Sequence, residues 1–95
     1  MPAYLIVHST VTEPELFQKY VDASGASVQQ YGGEYLLGGM VSEVLEGQHD
    51  QARTVIFQFP SAEQAKSWYE SDEYGSIKHL RDNTGKFDFV LVDSF

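Results

Sequence analysis

Apolar and polar residues alternate in four stretches of this chain and recur at three- and four-residue spacing in two others. About residues 3–9 place Leu5 and Val7 on one face of a strand and Tyr4, Ile6 and His8 on the other. About residues 53–59 offer Val55, Phe57 and Phe59 against Thr54, Ile56 and Gln58, and about 86–93 offer Phe87, Phe89 and Leu91 against Asp88, Val90 and Val92. A longer run, about 34–46, carries Tyr35 and Leu37, then Val44 and Leu45. Gly38-Gly39 inside that run predicts a bulge or a bend. The polar segment Glu46–Ala52 reads as the hairpin loop that follows.

The helical stretches are announced by capping boxes. In Thr12-x-x-Glu15 the hydroxyl is set to accept from the N–H of residue 15, and the carboxylate to accept from the N–H of Thr12. Pro14 suits the first turn, where its missing N–H costs nothing. Phe17, Tyr20, Val21, Ser24, Val28 and Tyr31 then form one stripe of a helix over roughly 13–31, ended by Gly32-Gly33. Gly25 within it weakens the helix by about 1 kcal/mol relative to Ala. The second box is Ser61-x-x-Gln64, followed by Ala62, Ala65, Trp68 and Tyr69. Ser71-Asp72 reads as a fresh N-cap, for a third helix over about 72–83 carrying Tyr74, Ile77 and Leu80.

The order strand, helix, strand, strand, helix, strand specifies an α+β, ferredoxin-like βαββαβ sandwich with a four-stranded antiparallel sheet. The expected organisation is a single domain over 1–95. Both sheet faces carry apolar residues, yet the helices can cover only one. The bare face predicts a homodimer, because soluble monomers rarely expose a large apolar patch.

Fourteen acidic residues against six basic give a net charge of −8. Nucleic-acid binding draws on Lys and Arg, so no nucleic-acid partner is expected. Nor is a membrane partner: no apolar run approaches the roughly 20 residues of a spanning helix. The opening Met1-Pro2 leads straight into a strand without a basic, apolar leader, and a cytoplasmic location is the expectation. With no cysteine, the chain has neither disulfides nor thiol chemistry.

The chemical motifs are sparse. The three histidines lack His-x-His or His-x₃-His spacing, so no metal site is expected. There is no Gly-x-Ser-x-Gly elbow, no dinucleotide fingerprint and no phosphate loop. What stands out is polar residues on apolar strand faces: His8 beside Ile6, and Gln58 beside Ile56. A buried polar group without a partner costs roughly 1–3 kcal/mol, so such placement is a sign of a pocket. The candidate site therefore takes His8 or His79 as proton carrier and Arg81 as the cation for a carboxylate or enolate oxygen. Gln58 is a polar contact, and Tyr4, Tyr35, Trp68 and Tyr74 are ligand-binding walls. Against this stands the ordinary reading, in which the histidines and Arg81 are solvated at sheet and helix ends and the aromatic rings fill core or interface.

Several segments in fixed order carry a resemblance over nearly the whole chain: Tyr4-Leu-Ile-Val-His8, Val11-Thr-Glu-Pro14, Tyr31-Gly-Gly-Glu-Tyr35-Leu, Val44-Leu-Glu-Gly47, Phe59-Pro-Ser61, Ser71-Asp-Glu-Tyr74 and Leu80-Arg81. Together they resemble domain-of-unknown-function family 1330. The resemblance implies a dimeric α+β barrel, two ferredoxin-like sheets packed open face to open face. Its superfamily includes cofactor-independent monooxygenases and isomerases, and haem-handling enzymes. Similar chains often carry Arg where this one has Glu34 and a basic residue where it has Gly38, whereas Arg81 fits the pattern. The resulting expectation is a homodimer that binds or acts on a small organic molecule in an apolar pocket, with no bound cofactor. The alternative is a non-catalytic dimeric structural or protein-interaction module.

Overall fold

Strand alternation is realised residue for residue in β1 (Ala3–Val11), where Ala3, Leu5, Val7 and Ser9 are buried and the residues between them are half-buried. The structure is a computed structural model describing residues 1–95. Helix α1 (Pro14–Gln30) follows, then β2 (Glu34–Met40) and β3 (Arg53–Phe59). Next come α2 (Ala62–Tyr69), α3 (Asp72–Gly75), a 3₁₀ turn (Lys78–Arg81) and β4 (Gly85–Asp93). The strands form one sheet in the order β2-β3-β1-β4, every neighbouring pair antiparallel. This is the ferredoxin-like α+β arrangement that the alternation predicts.

The register sorts the sheet into rows. On the helix side, Gly38, Val55, Val7 and Phe89 stand in one row across all four strands, and Met40, Arg53, Ser9 and Phe87 in the next. On the other side, Leu37, Ile56, Ile6 and Val90 form an aliphatic row. The helices bury Phe17, Tyr20, Val28, Ala65, Trp68 and Tyr74 against the first face, together with Leu5, Val7 and Phe59.

The caps divide. Ser61 Oγ accepts from the Gln64 N–H at 3.1 Å and Ser71 Oγ from the Tyr74 N–H at 3.1 Å, as expected. The Thr12 box does not form: the helix is preceded by Glu13, with no side-chain cap. The Thr12 N–H that Glu15 was to satisfy donates instead to the Thr84 carbonyl at 2.8 Å. At its other end α1 closes with a Schellman motif. Gly33 N–H donates to Val28 O and Gly32 N–H to Gln29 O, with Gly32 at φ 79°.

Two boundaries and one irregularity differ from the sequence expectation. The third helix stops at Gly75 and resumes only as the 3₁₀ turn, since glycine is a poor helix residue. Strand β2 ends at Met40, so Val44 and Leu45 belong to an exposed connection; β3 begins at Arg53, opposite Met40, and leaves them no partner. The β2 irregularity lies between Tyr35 and Leu37, not at Gly38-Gly39, which pair regularly with Val55 and Thr54 without positive φ. The extra residue is Leu36. It turns Tyr35 to the helix side and Leu37 to the open side, so the two do not share a face as simple alternation implies. Gly38 serves close approach instead: a Cβ there would lie 2.7 Å from the Tyr35 hydroxyl.

Candidate functional site

Small residues open a space in the helix layer. The α1 stretch Ala23-Ser-Gly-Ala-Ser27 interrupts an otherwise bulky stripe, and a Cβ added at Gly25 would meet nothing within 4 Å. Opposite lie Val55 and Phe57 of β3 and Phe87 and Phe89 of β4. Between them is a cavity of about 210 Å³, and eleven of its fourteen lining residues are hydrophobic. Its polar edge includes Ser24 and Arg53. An adjoining groove of about 430 Å³ shares Phe17, Val21 and Arg53 with it and reaches Ser9 and Gln18.

The wall is held in place by hydrogen bonds. Trp68 Nε1 donates to Ser27 Oγ at 3.0 Å, and Ser27 Oγ donates to the Ser24 carbonyl at 2.7 Å. Tyr20 and Tyr74 share a hydroxyl–hydroxyl hydrogen bond of 2.7 Å. Burial pushes the Tyr20 phenol well above its ordinary range, and the neighbouring Tyr74 pushes it further. Tyr20 is therefore a neutral hydroxyl at any physiological pH. Phe17 stacks on Phe87 with ring centroids 5.3 Å apart. The Arg53 guanidinium carbon lies 5.2 Å from the Phe17 ring centroid, and that of Arg81 lies 4.7 Å from Phe89 and 5.3 Å from Phe87.

The residues singled out in the sequence fall into three places. Tyr35 and Trp68 line the cavity, Tyr74 packs behind Trp68 with centroids 4.2 Å apart, and Arg81 stands against Phe87 and Phe89 with its buried Nε unpartnered. Tyr4, His8 and Gln58 lie on the opposite, open face. His8 Nδ1 is 3.0 Å from Thr54 Oγ1, and its ring packs edge-on against His49 at 4.7 Å. His79 is exposed on the 3₁₀ turn. The structure thus does not bring His8, His79 and Arg81 into one concavity. The sequence reading passed over Arg53 and the Ser24–Gly25 opening. Arg53 alternates with Val55 and Phe57 on an apolar face, the same sign that drew attention to Gln58.

The DUF1330 family, a domain of unknown function, matches the chain over residues 2–95. The chain belongs to this family. No functionally curated protein matches its sequence. Among solved structures, a protein of unknown function from Rhodopseudomonas palustris superposes with a TM-score of 0.82 at 14% identity, covering 99% of this chain and 82% of that one. SnoaB, a cofactor-independent oxygenase from Streptomyces nogalater, superposes with a TM-score of 0.71 at 10% identity, covering 99% and 93%. A dimeric protein of unknown function with a ferredoxin-like fold, from Bacteroides fragilis, gives 0.67 at 11% identity, covering 98% and 96%. At such identities the likeness is one of fold, and the DUF1330 chain shares that fold along its length.

Proposed function

We propose that this DUF1330 protein is a homodimer in which each subunit holds a small, mostly apolar organic molecule in its helix-side cavity. The observation that carries the reading is the cavity itself: about 210 Å³, aromatic-walled, and on the far side of the sheet from the open face. A dry cavity of roughly 150 Å³ takes up benzene, so this one has room for one substituted ring or a small fused pair. The wall has hydroxyls and one guanidinium but no histidine or carboxylate, which suits binding better than proton transfer from the wall. Tyr35 and Trp68 are its contacts, with Tyr74 and Arg81 as supports behind it. His8, Gln58 and Tyr4 belong to the dimer face on this reading.

The dimer rests on the aliphatic row Leu37, Ile56, Ile6 and Val90. Leu37 is 53% exposed and Val90 46%, and polar residues such as Thr54, His8 and Asp88 stand in the next row. An apolar centre with a polar rim is the anatomy of a protein interface. Pairing two such faces should bury at least about 1,200 Å² in total. The Bacteroides fragilis protein of the same fold, itself described as dimeric, supports a dimer here.

The test is thermal denaturation with neutral ring compounds such as indole and naphthalene. A ligand at a hundredfold its Kd adds about 2.7 kcal/mol of apparent stability. Gly25→Leu, which fills the opening, should abolish the shift. If no ring compound shifts the wild type, the cavity reading fails. A monomer by light scattering at micromolar concentration would remove the dimer from it.

A further inference from the structure

This protein has two arginines, and neither forms an ion pair although the chain carries fourteen acidic side chains; the one salt bridge joins Lys86 to Asp50 at 3.7 Å. Arg53 is the more telling of the two. It is half-buried on the helix-side face, lines both the cavity and the adjoining groove, and has only the Phe17 ring against its guanidinium. Directly across the β1–β3 ladder from it is Ser9. Ser9 is fully buried, borders the same groove, and its hydroxyl has no hydrogen-bond partner. Residues directly opposite in an antiparallel pair have Cβ atoms about 4.5–5.5 Å apart, so the two side chains share one spot.

A guanidinium without an acid and a buried hydroxyl without an acceptor are both donors, and both lack the same thing. We infer that Arg53 and Ser9 form the anion-binding head of the cavity, and that its ligand is an aromatic or other flat apolar acid whose carboxylate they hold. The inference rests on the cavity reading above and adds the chemical class. The ring of the ligand fills the space between α1 and the sheet, among Phe17, Phe57, Phe87 and Trp68. Its carboxylate reaches the junction with the groove, where Arg53 meets it with paired N–H donors and Ser9 donates its hydroxyl proton. Phe17 keeps the guanidinium at that junction through its stacking contact. With a net charge of −8 the protein repels anions at long range, so any preference for an acid over a neutral ring must come from such a local group.

The experiment compares benzoate with benzamide, its neutral near-isostere, on the full-length protein by calorimetry and thermal shift. Benzoate should bind at least about tenfold tighter, as charge-assisted bidentate pairing requires. Arg53→Gln should remove that preference, Arg53→Lys should restore part of it, and Ser9→Ala should weaken benzoate several-fold. The wild-type comparison stands even if a variant fails to fold. Equal affinity for the two compounds, or a preference that survives Arg53→Gln, overturns the inference and leaves the cavity reading intact. So does binding of indole or naphthalene without benzoate. Failure of every ring compound overturns both.

Discussion

The two faces of the sheet are built from the same alternating strands, yet they are finished differently. On the helix side the strands present Val7, Val55, Phe57, Phe87 and Phe89, and the helix layer above them is interrupted by small residues at Ser24 and Gly25, leaving a partly open aromatic concavity. On the open side the central row is Leu37, Ile56, Ile6 and Val90, with no helix over it and no comparable concavity. An apolar surface that encloses a void suits a small molecule, and one that is open and broad suits another protein surface. The face, more than the residue type, decides what a polar side chain is for. Arg53 and Gln58 both interrupt apolar rows of β3, but one opens into the cavity and the other toward the open face.

The sharpest way to break the comparison is Val90→Asp. In one subunit Val90 is 46% exposed, so the variant should fold with little loss. In the proposed dimer each copy would bury an unpaired carboxylate, a cost of about 3–5 kcal/mol. Sedimentation should show a monomer at concentrations where the parent is a dimer, with binding in the cavity retained. Loss of both together would mean that the two faces are not independent.

Gly85→Ala should strike both faces at once. Gly85 has φ 155°, and a Cβ there would lie 2.1 Å from the Thr10 carbonyl oxygen of the neighbouring strand. The β1–β4 ladder must part at Val11–Gly85 to admit it. Strain and lost pairing together should cost about 2–3 kcal/mol, read as a lower denaturation midpoint. Since the sheet is common to both faces, ligand affinity and dimer affinity should fall together, unlike the separable effect of Val90→Asp.

The helix side should also reveal itself at alkaline pH. Tyr20 is held protonated in the folded chain by burial and by its contact with Tyr74. In the unfolded chain it ionises near its ordinary pKa of about 10. The folded state then binds the extra proton, so this contribution is complete below pH about 10 and is lost as pH rises beyond it, by about 1.4 kcal/mol per unit. Tyr20→Phe should flatten the alkaline limb of stability against pH. An unchanged slope would show that Tyr20 ionises in place.

The faces of β1, β3 and β4 and two of three helix caps are legible in the sequence, because alternation and Ser caps depend on near neighbours. Thr12 was misread because its N–H goes to the Thr84 carbonyl, a partner that only the fold supplies. The Leu36 bulge was invisible for a related reason. Glycines marked a plausible irregularity, whereas the register between Tyr35 and Leu37 is set by pairing with β3. For the site, looking for polar residues on apolar strands found His8 and Gln58 on the open face. The same logic applied to Arg53 points into the cavity, but a cation at the first position of a strand reads as an end. In the sequence Gly25 signals only a weaker helix, and its other consequence, an absence of side-chain volume, needs the opposing sheet to become a cavity.

That last point gives the smallest and most selective test, Gly25→Ala. The position is exposed in the middle of α1, has no positive φ, and offers open space to a Cβ. Alanine should therefore stabilise the fold by about 0.5–1 kcal/mol, through better helix propensity and a less flexible unfolded chain. A single methyl removes little of a cavity of about 210 Å³, so binding of a one-ring ligand should change by less than about threefold while Gly25→Leu blocks it. The pair separates helix propensity from cavity volume at one residue. If alanine already abolishes binding, the ligand rests directly on the Gly25 backbone, and the glycine is there for close approach. If leucine leaves binding unchanged, the ring does not occupy the space under α1, and the helix-side face loses the property that distinguishes it from the open one.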